Sequence, residues 1–301
     1  MKRLFSLILI LCLLLSGCGG MTPTEKTVYA MDTVMDIRLW GEDADTAAAD
    51  IETMLHALEK TYDATDPESA LSRGSLTGEE QELLTRAQEL SRRTNGTFDP
   101  QLKGVMELWG FYDQNYTVPE QSALANVEKS WDLGGITKGY AGELAVQSLK
   151  KANISHGILS LGGNVQTYGE KPGGTPWQVG IQNPTGGDPV GILSVEGTMA
   201  VVTSGSYQRY FERGGQVYHH IIDPATRNPA QSGLTSVTVV CESGTTADAL
   251  STALFVMGLQ KATEFWREST DFEAVFLTDS GKIYATSGIT LTGCEYEVIE
   301  K

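Results

Sequence analysis

Three segments of the 301-residue chain set polar groups inside apolar or glycine-rich sequence. In TTADALSTALFVMGL (245–259), Asp248 and Thr252 are four residues apart and so share one face of a helix. A carboxylate and a hydroxyl one turn apart, near the N-terminal end of an apolar helix, offer two hard oxygen ligands of the kind Mg²⁺ accepts. The pair also suits plainer work, with Asp248 complementing the helix dipole and Thr252 bonding back to a carbonyl. In WDLGGITKGY (131–140), Asp132 precedes a turn whose glycines expose backbone amides and carbonyls, and Lys138 opens the next helix. Backbone exposed in this way approaches a phosphate or a metal closely. The stretch fits neither GxxxxGK[ST] nor GxGxxG, so a plain Gly-rich turn into a helix stays open beside the phosphate reading. In TSGSYQRYFERGGQVYHHIIDPAT (203–226), His219 and His220 alternate across a strand, so they point to opposite faces. A histidine is the natural base for activating a hydroxyl, and equally often a satisfied core residue.

The elements that must position these residues are legible from periodicity. Val28 to Leu39 reads as one strand, and Asp43 to Lys60 carries Ala47, Ile51, Met54, Leu55 and Leu58 at helical spacing. Helices follow over Glu79–Arg93 and Lys138–Lys151, and a strong one over Thr246–Gly258, capped by Thr246, precedes another near Lys261–Glu268. From His156 onward short apolar runs separated by Gly, Asn and Pro read as strands. Strands and helices mixed without regular βαβ alternation predict an α+β fold: a single large domain, with scope for two lobes about a cleft. No repeat or low-complexity block divides it.

The N-terminus, MKRLFSLILILCLLLSGCGG, has a basic start, an apolar run from Leu4 to Leu15 and then small residues, the pattern of a signal peptide over residues 1–17. LLSGC resembles a lipobox, which makes Cys18 the expected lipidated residue, with 18–27 as lipidated N-terminus and polar tether and 28–301 as the folded domain. The expected location is the extracytoplasmic face of a bacterial membrane, held through lipid. Loss of residues 1–17 removes Lys2 and Arg3 and moves the formal charge from −16 to −18, a poor balance for nucleic acid. In the folded domain Cys241 and Cys294 remain, in no CxxC or Cys/His cluster; spacing leaves open whether they pair.

Seven ordered pieces, AMDTVMDI (30–37), GTFDPQLKGVMELWGF (96–111), DLGGITKGYAGE (132–143), LSLGGNV (159–165), VVTSGSYQRYF (201–211), HHIIDPAT (219–226) and TADALSTALFVMG (246–258), together resemble the ApbE-like FAD:protein FMN transferases. The resemblance implies a transferase lipoprotein that uses FAD as substrate with Mg²⁺ as cofactor. It would pass FMN to a Ser or Thr of an acceptor flavoprotein as a phosphoester and release AMP. It further implies Mg²⁺ ligands at Asp248, Thr252 and the Gly135 carbonyl, and His220 as the base. Flavin contacts would be Met31, Tyr62, Leu108, Trp109, Gly110, Asp132, Lys138 and Ile222, with Tyr62 and Trp109 offering ring faces for stacking and Ser204, Gly205 and Ser206 lining the same cavity. Two departures stand out. The family's usual glycine in the first motif is Asp32, and the one after DPxT is replaced by Arg227-Asn228, where Asn tolerates positive φ. An FAD pyrophosphatase using water as acceptor, or a flavin-binding lipoprotein without chemistry, would share much of this pattern.

Overall fold

A computed structural model describes residues 22–301, so the signal peptide and Cys18 lie outside the described residues. The frame is a nine-stranded sheet in the spatial order Thr24–Ala30, Thr33–Trp40, His156–Leu161, Asn164–Tyr168, Ala200–Gly205, Leu234–Cys241, Phe272–Thr278, Ile283–Thr286 and Glu297–Ile299. All neighbours are antiparallel except the last pair. The first strand begins at Thr24, inside the stretch expected to be a tether.

Both faces of the sheet are covered at its centre, which explains why Leu234–Cys241 is buried at nearly every position rather than alternating. Val202, Val239, Ala274 and Phe276 pack beneath the helix Gly244–Arg267. Their neighbours Val201, Val240 and Val275 pack instead with Trp177, Val179 and Leu193 of a three-stranded sheet built from Trp177–Ile181, Gly191–Val195 and Leu291–Thr292. Beside the long helix, Thr137–Lys151 and Ala44–Tyr62 complete the helical layer, with Ile51, Leu55, Ala141 and Ala145 sharing one core with Ile37 and Leu159. A smaller aromatic core, formed by Lys103–Trp109 and the hairpin Tyr210–Arg213/Gln216–His219, supplies the second wall of the cleft described below. The α+β architecture is thus the expected one.

The expected single strand over Val28–Leu39 is a hairpin. Ala30 pairs with Thr33, so Met31 and Asp32 form a two-residue turn with φ of 52° and 58°. Two consecutive left-handed residues are what a type I′ turn requires, and glycine best satisfies the second. Asp32→Gly is expected to stabilise the fold by about 0.5 kcal/mol, relief of left-handed strain exceeding glycine's entropy cost; thermal unfolding of the two proteins checks the sign. The other departure also resolves differently. Arg227, not Asn228, is left-handed, with φ of 58°. Its guanidinium donates to the carbonyls of Leu124 and Val127, and its own carbonyl accepts from Trp109 Nε1 at 3.0 Å. These bonds tie the turn to the aromatic wall.

The two expected helices at this end, over Thr246–Gly258 and near Lys261–Glu268, are present as two helical segments of Gly244–Arg267 that meet at a non-helical kink at Gly258 (φ 74°). The cap of the first is Ser243, whose hydroxyl accepts from the Thr246 amide at 3.1 Å, so the expected cap at Thr246 lies three residues late. Cys241 and Cys294 are both free thiols, and burial pushes that of Cys241 up to about 11.

Candidate functional site

The N-terminal ends of two helices meet at glycine. A Cβ on Gly139 would stand 2.1 Å from the Gly244 carbonyl oxygen and 2.8 Å from Asp248 Cβ, and one on Gly244 would stand 2.5 Å from the Gly139 carbonyl. No side chain fits between them, so the helices approach at backbone contact. That approach lets the Gly139 amide donate to Asp248 Oδ2 at 2.9 Å, holding a 4 % exposed carboxylate and leaving Oδ1 for another partner. Glu143, one turn along, secures the same junction: its Oε1 accepts from Ser243 Oγ at 2.6 Å and from the Thr245 amide at 2.9 Å, while Arg86 grips both oxygens at 2.8 and 3.0 Å. Burial alone would raise the Glu143 pKa; the bonds from Arg86, Ser243 and Thr245 outweigh it and hold it below the usual range. A depressed carboxylate stabilises the fold fully above its unfolded value, near 4.5, and the stabilisation disappears as pH falls through the lower native value. Glu143→Ala is therefore expected to cost about 2 kcal/mol at pH 7 and progressively less below pH 4.5, as measured by denaturant unfolding at each pH.

The Gly-rich turn follows from its own hydrogen bonds. Asp132 Oδ1 accepts from the Gly134 amide at 2.8 Å, and Oδ2 accepts from the Tyr112 hydroxyl at 2.6 Å. Burial, then the Asp132 charge, push the Tyr112 phenol far up, so it remains a donor. Thr137 Oγ1 donates to the Leu133 carbonyl at 2.8 Å, and Lys138 Nζ to the Gly134 carbonyl at 3.1 Å. Gly135 lies against the other helix: a Cβ there would be 3.9 Å from Thr252 Oγ1. Thr252 in turn is 3.2 Å from Ser204 Oγ, which also meets Ser251 Oγ at 2.7 Å.

A carboxylate oxygen, a hydroxyl and a carbonyl-bearing turn thus converge, and they fit Mg²⁺, which keeps water and substrate phosphate in its shell and needs few protein oxygens. Among the described residues no group of three His, Cys, Asp or Glu forms a denser metal site.

The histidines divide as alternation requires. His219 is core: Nε2 is 3.1 Å from the Ala230 carbonyl, Nδ1 accepts from the Ile221 amide at 3.3 Å, and the ring stands edge-on to Phe255. His220 lines the cleft. Its Nδ1 is 3.2 Å from the Arg209 carbonyl, and with Nδ1 as the donor Nε2 carries the free lone pair. Burial, followed by the Arg209 cation, lowers its pKa to about 3, so the imidazole is neutral at pH 7.

All this borders one cleft of about 1030 Å³. Met31, Tyr62, Asp132, Gly135, Lys138, Ser204, His220, Ile222, Asp248 and Thr252 line it, although they come from segments more than two hundred residues apart. Leu108, Trp109 and Gly110 do not. Trp109 is 1 % exposed, packed among Phe111, Phe211 and Tyr218, so it has no ring face to offer a ligand; it supports the wall from behind. Gly110 ends its helix in a left-handed conformation (φ 73°) against the Asn115 backbone. Gly205 and Ser206 also stand off the lining. The wall at this end is carried by Met106, Phe111 and Tyr112, which sequence reasoning passed over, as it did Asn164 and Arg209. The GTFDPQLKGVMELWGF motif signals this wall as a whole without saying which of its side chains face inward.

The ApbE family model matches residues 31–276, the span that contains every one of these cleft residues. The chain belongs to the ApbE family. An ApbE relative from Treponema pallidum, named FAD:protein FMN transferase, is 30 % identical over 95 % of this chain and 94 % of its own. One of that name from Haemophilus influenzae is 28 % identical over 95 % and 97 %. Among solved structures, the ApbE protein of Thermotoga maritima superposes with a TM-score of 0.82 at 31 % identity, covering 89 % of this chain and 98 % of that one. The flavin transferase ApbE of Vibrio cholerae does so at 0.77 and 25 % identity, covering 89 % and 98 %. The ApbE fold therefore extends across nearly all of the described chain, and its cleft is the candidate active site.

Proposed function

We propose that this ApbE-family chain is an Mg²⁺-dependent FAD:protein FMN transferase, lipid-anchored through Cys18 on the extracytoplasmic face of a bacterial membrane. The observation that carries the reading is a single cleft in which Asp248, Thr252 and the Gly135 turn stand on one wall and His220 on another. The relatives' name, a transferase acting on FAD, agrees with it. About 1030 Å³ is at the upper end of the range for ligand pockets, as a dinucleotide requires.

Asp248, Thr252 and the Gly135 carbonyl would hold Mg²⁺, whose charge would offset the negative charge developing on the phosphoryl oxygens. Lys138 is within reach of the same region and would exchange its bond to the Gly134 carbonyl for one to phosphate. His220 Nε2 takes the proton of an acceptor Ser or Thr hydroxyl as that oxygen bonds to the phosphorus of the FMN half. The bond to the bridging oxygen of the pyrophosphate breaks, and AMP leaves with the electron pair. The enzyme forms no covalent intermediate.

The test is product stoichiometry. With FAD, Mg²⁺ and an acceptor domain, AMP should appear one for one with flavin-labelled acceptor. FMN and AMP without labelled acceptor would instead assign the cleft to hydrolysis by water.

A further inference from the structure

Asn164 follows the Gly162-Gly163 turn of the LSLGGNV motif, borders the cleft and is only 5 % exposed. Its amide Nδ2 has no hydrogen-bond partner among the described residues. A buried donor left unpaired costs free energy, and such groups are rare in native proteins unless something outside the chain satisfies them. The register says where this donor lies. Asn164 pairs with Val202, so it shares a sheet face with Ser204, two residues further along the neighbouring strand. Ser204 is the residue whose hydroxyl meets Ser251 and Thr252. Asn164 therefore stands beside the Asp248–Thr252 corner, not beside the aromatic wall.

We propose that Asn164 is a substrate-binding residue, its Nδ2–H donating to a phosphoryl oxygen of the FAD pyrophosphate. The proposal rests on the flavin-transferase reading of the cleft. The neutral amide donates to the phosphoryl oxygen and adds no charge beside the carboxylate of Asp248. The donor is preorganised: its strand is hydrogen-bonded on both sides, and the Gly163 carbonyl accepts from the Thr203 amide at 3.2 Å. Binding thus relieves a desolvation cost that the ligand-free fold already carries.

The experiment measures FAD affinity in Mg²⁺ by flavin fluorescence, and ligand-free thermal unfolding, for the wild type, Asn164→Ala and Asn164→Asp. Asn164→Ala should weaken FAD binding about 10-fold while the ligand-free Tm stays unchanged or rises, since the amide lost had no partner in the fold. Asn164→Asp should weaken it further, because a carboxylate then faces phosphate. Unchanged affinity in Asn164→Ala overturns the proposal, as does a fall in its ligand-free Tm, the mark of a merely structural side chain. Asn164→Asp binding as well as Asn164→Ala shows that the group met is not an anion and overturns it too. A wild type that binds no FAD overturns the functional reading itself, before any variant is compared.

Discussion

Asp248→Ala will abolish Mg²⁺-dependent turnover, a loss of at least about 10²-fold, because it removes the one carboxylate of the proposed metal-ligand set. The expectation follows from how the side chain is held. One oxygen is fixed by the Gly139 amide, so the other is aimed rather than free to rotate. Alanine would also leave that amide unpaired in a buried junction, at a cost of about 1–3 kcal/mol, and inactivity alone would not separate the two effects. Asp248→Asn does separate them. Its carbonyl can still accept from Gly139 while its amide nitrogen presents hydrogens, not a lone pair, where the ion would sit. Asn at this position should keep the wild-type Tm and lose turnover as fully as alanine does. Turnover retained in Asp248→Asn would remove Asp248 from the metal site and leave it as the clasp of a helix junction.

His220→Ala should cut transfer by about 10²–10⁴-fold, the usual contribution of a general base, and leave FAD binding within a few-fold of wild type. The ring's position explains both halves. Nδ1 is engaged by the Arg209 carbonyl, and the ring edge rests on Phe111, so the side chain is oriented without contacting the proposed metal ligands. The depressed pKa adds a pH signature. In the ligand-free enzyme His220 resists protonation from its ordinary value of 6.5 down to about 3, so the acid limb of kcat/KM, which reports free-enzyme groups, should fall below 6.5. The same shift makes the native state bind fewer protons than the unfolded chain across that window. Its contribution to stability is complete above 6.5 and declines as pH falls toward 3. A limb at or above 6.5 that persists in His220→Ala would assign the titrating base to another group.

How much of this was legible in the sequence depended on whether the deciding signal was local. The helical pair Asp248 and Thr252, the Gly-rich turn before Lys138 and the alternation of His219 and His220 all rest on periods of four or two residues, and each is placed as periodicity requires. The Met31-Asp32 turn escaped because its two left-handed residues are not glycine, so the chain carries no turn signal between two strands of similar composition. Trp109 failed for the opposite reason. Its type suits ligand stacking and core packing equally, and only the arrival of Phe211 and Tyr218 from a hairpin a hundred residues later decides for the core. Glu143 and Asn164 lie within two of the seven pieces that carry the family resemblance, yet their roles turn on a bond to Ser243 in one case and on a missing bond in the other. The glycines of WDLGGITKGY changed meaning as well: Gly139 is required less for exposed backbone than for the contact with Gly244 that aims Asp248.

The central claim is that this cleft transfers flavin covalently to another protein. Its most direct measurement is flavin fluorescence on an acceptor domain separated under denaturing conditions after incubation with the mature enzyme, FAD and Mg²⁺. The expected result is a fluorescent acceptor band that disappears when Mg²⁺ is chelated and when Asp248 is replaced by Asn. FAD bound by the enzyme, with no labelled acceptor and no AMP released, would contradict the account.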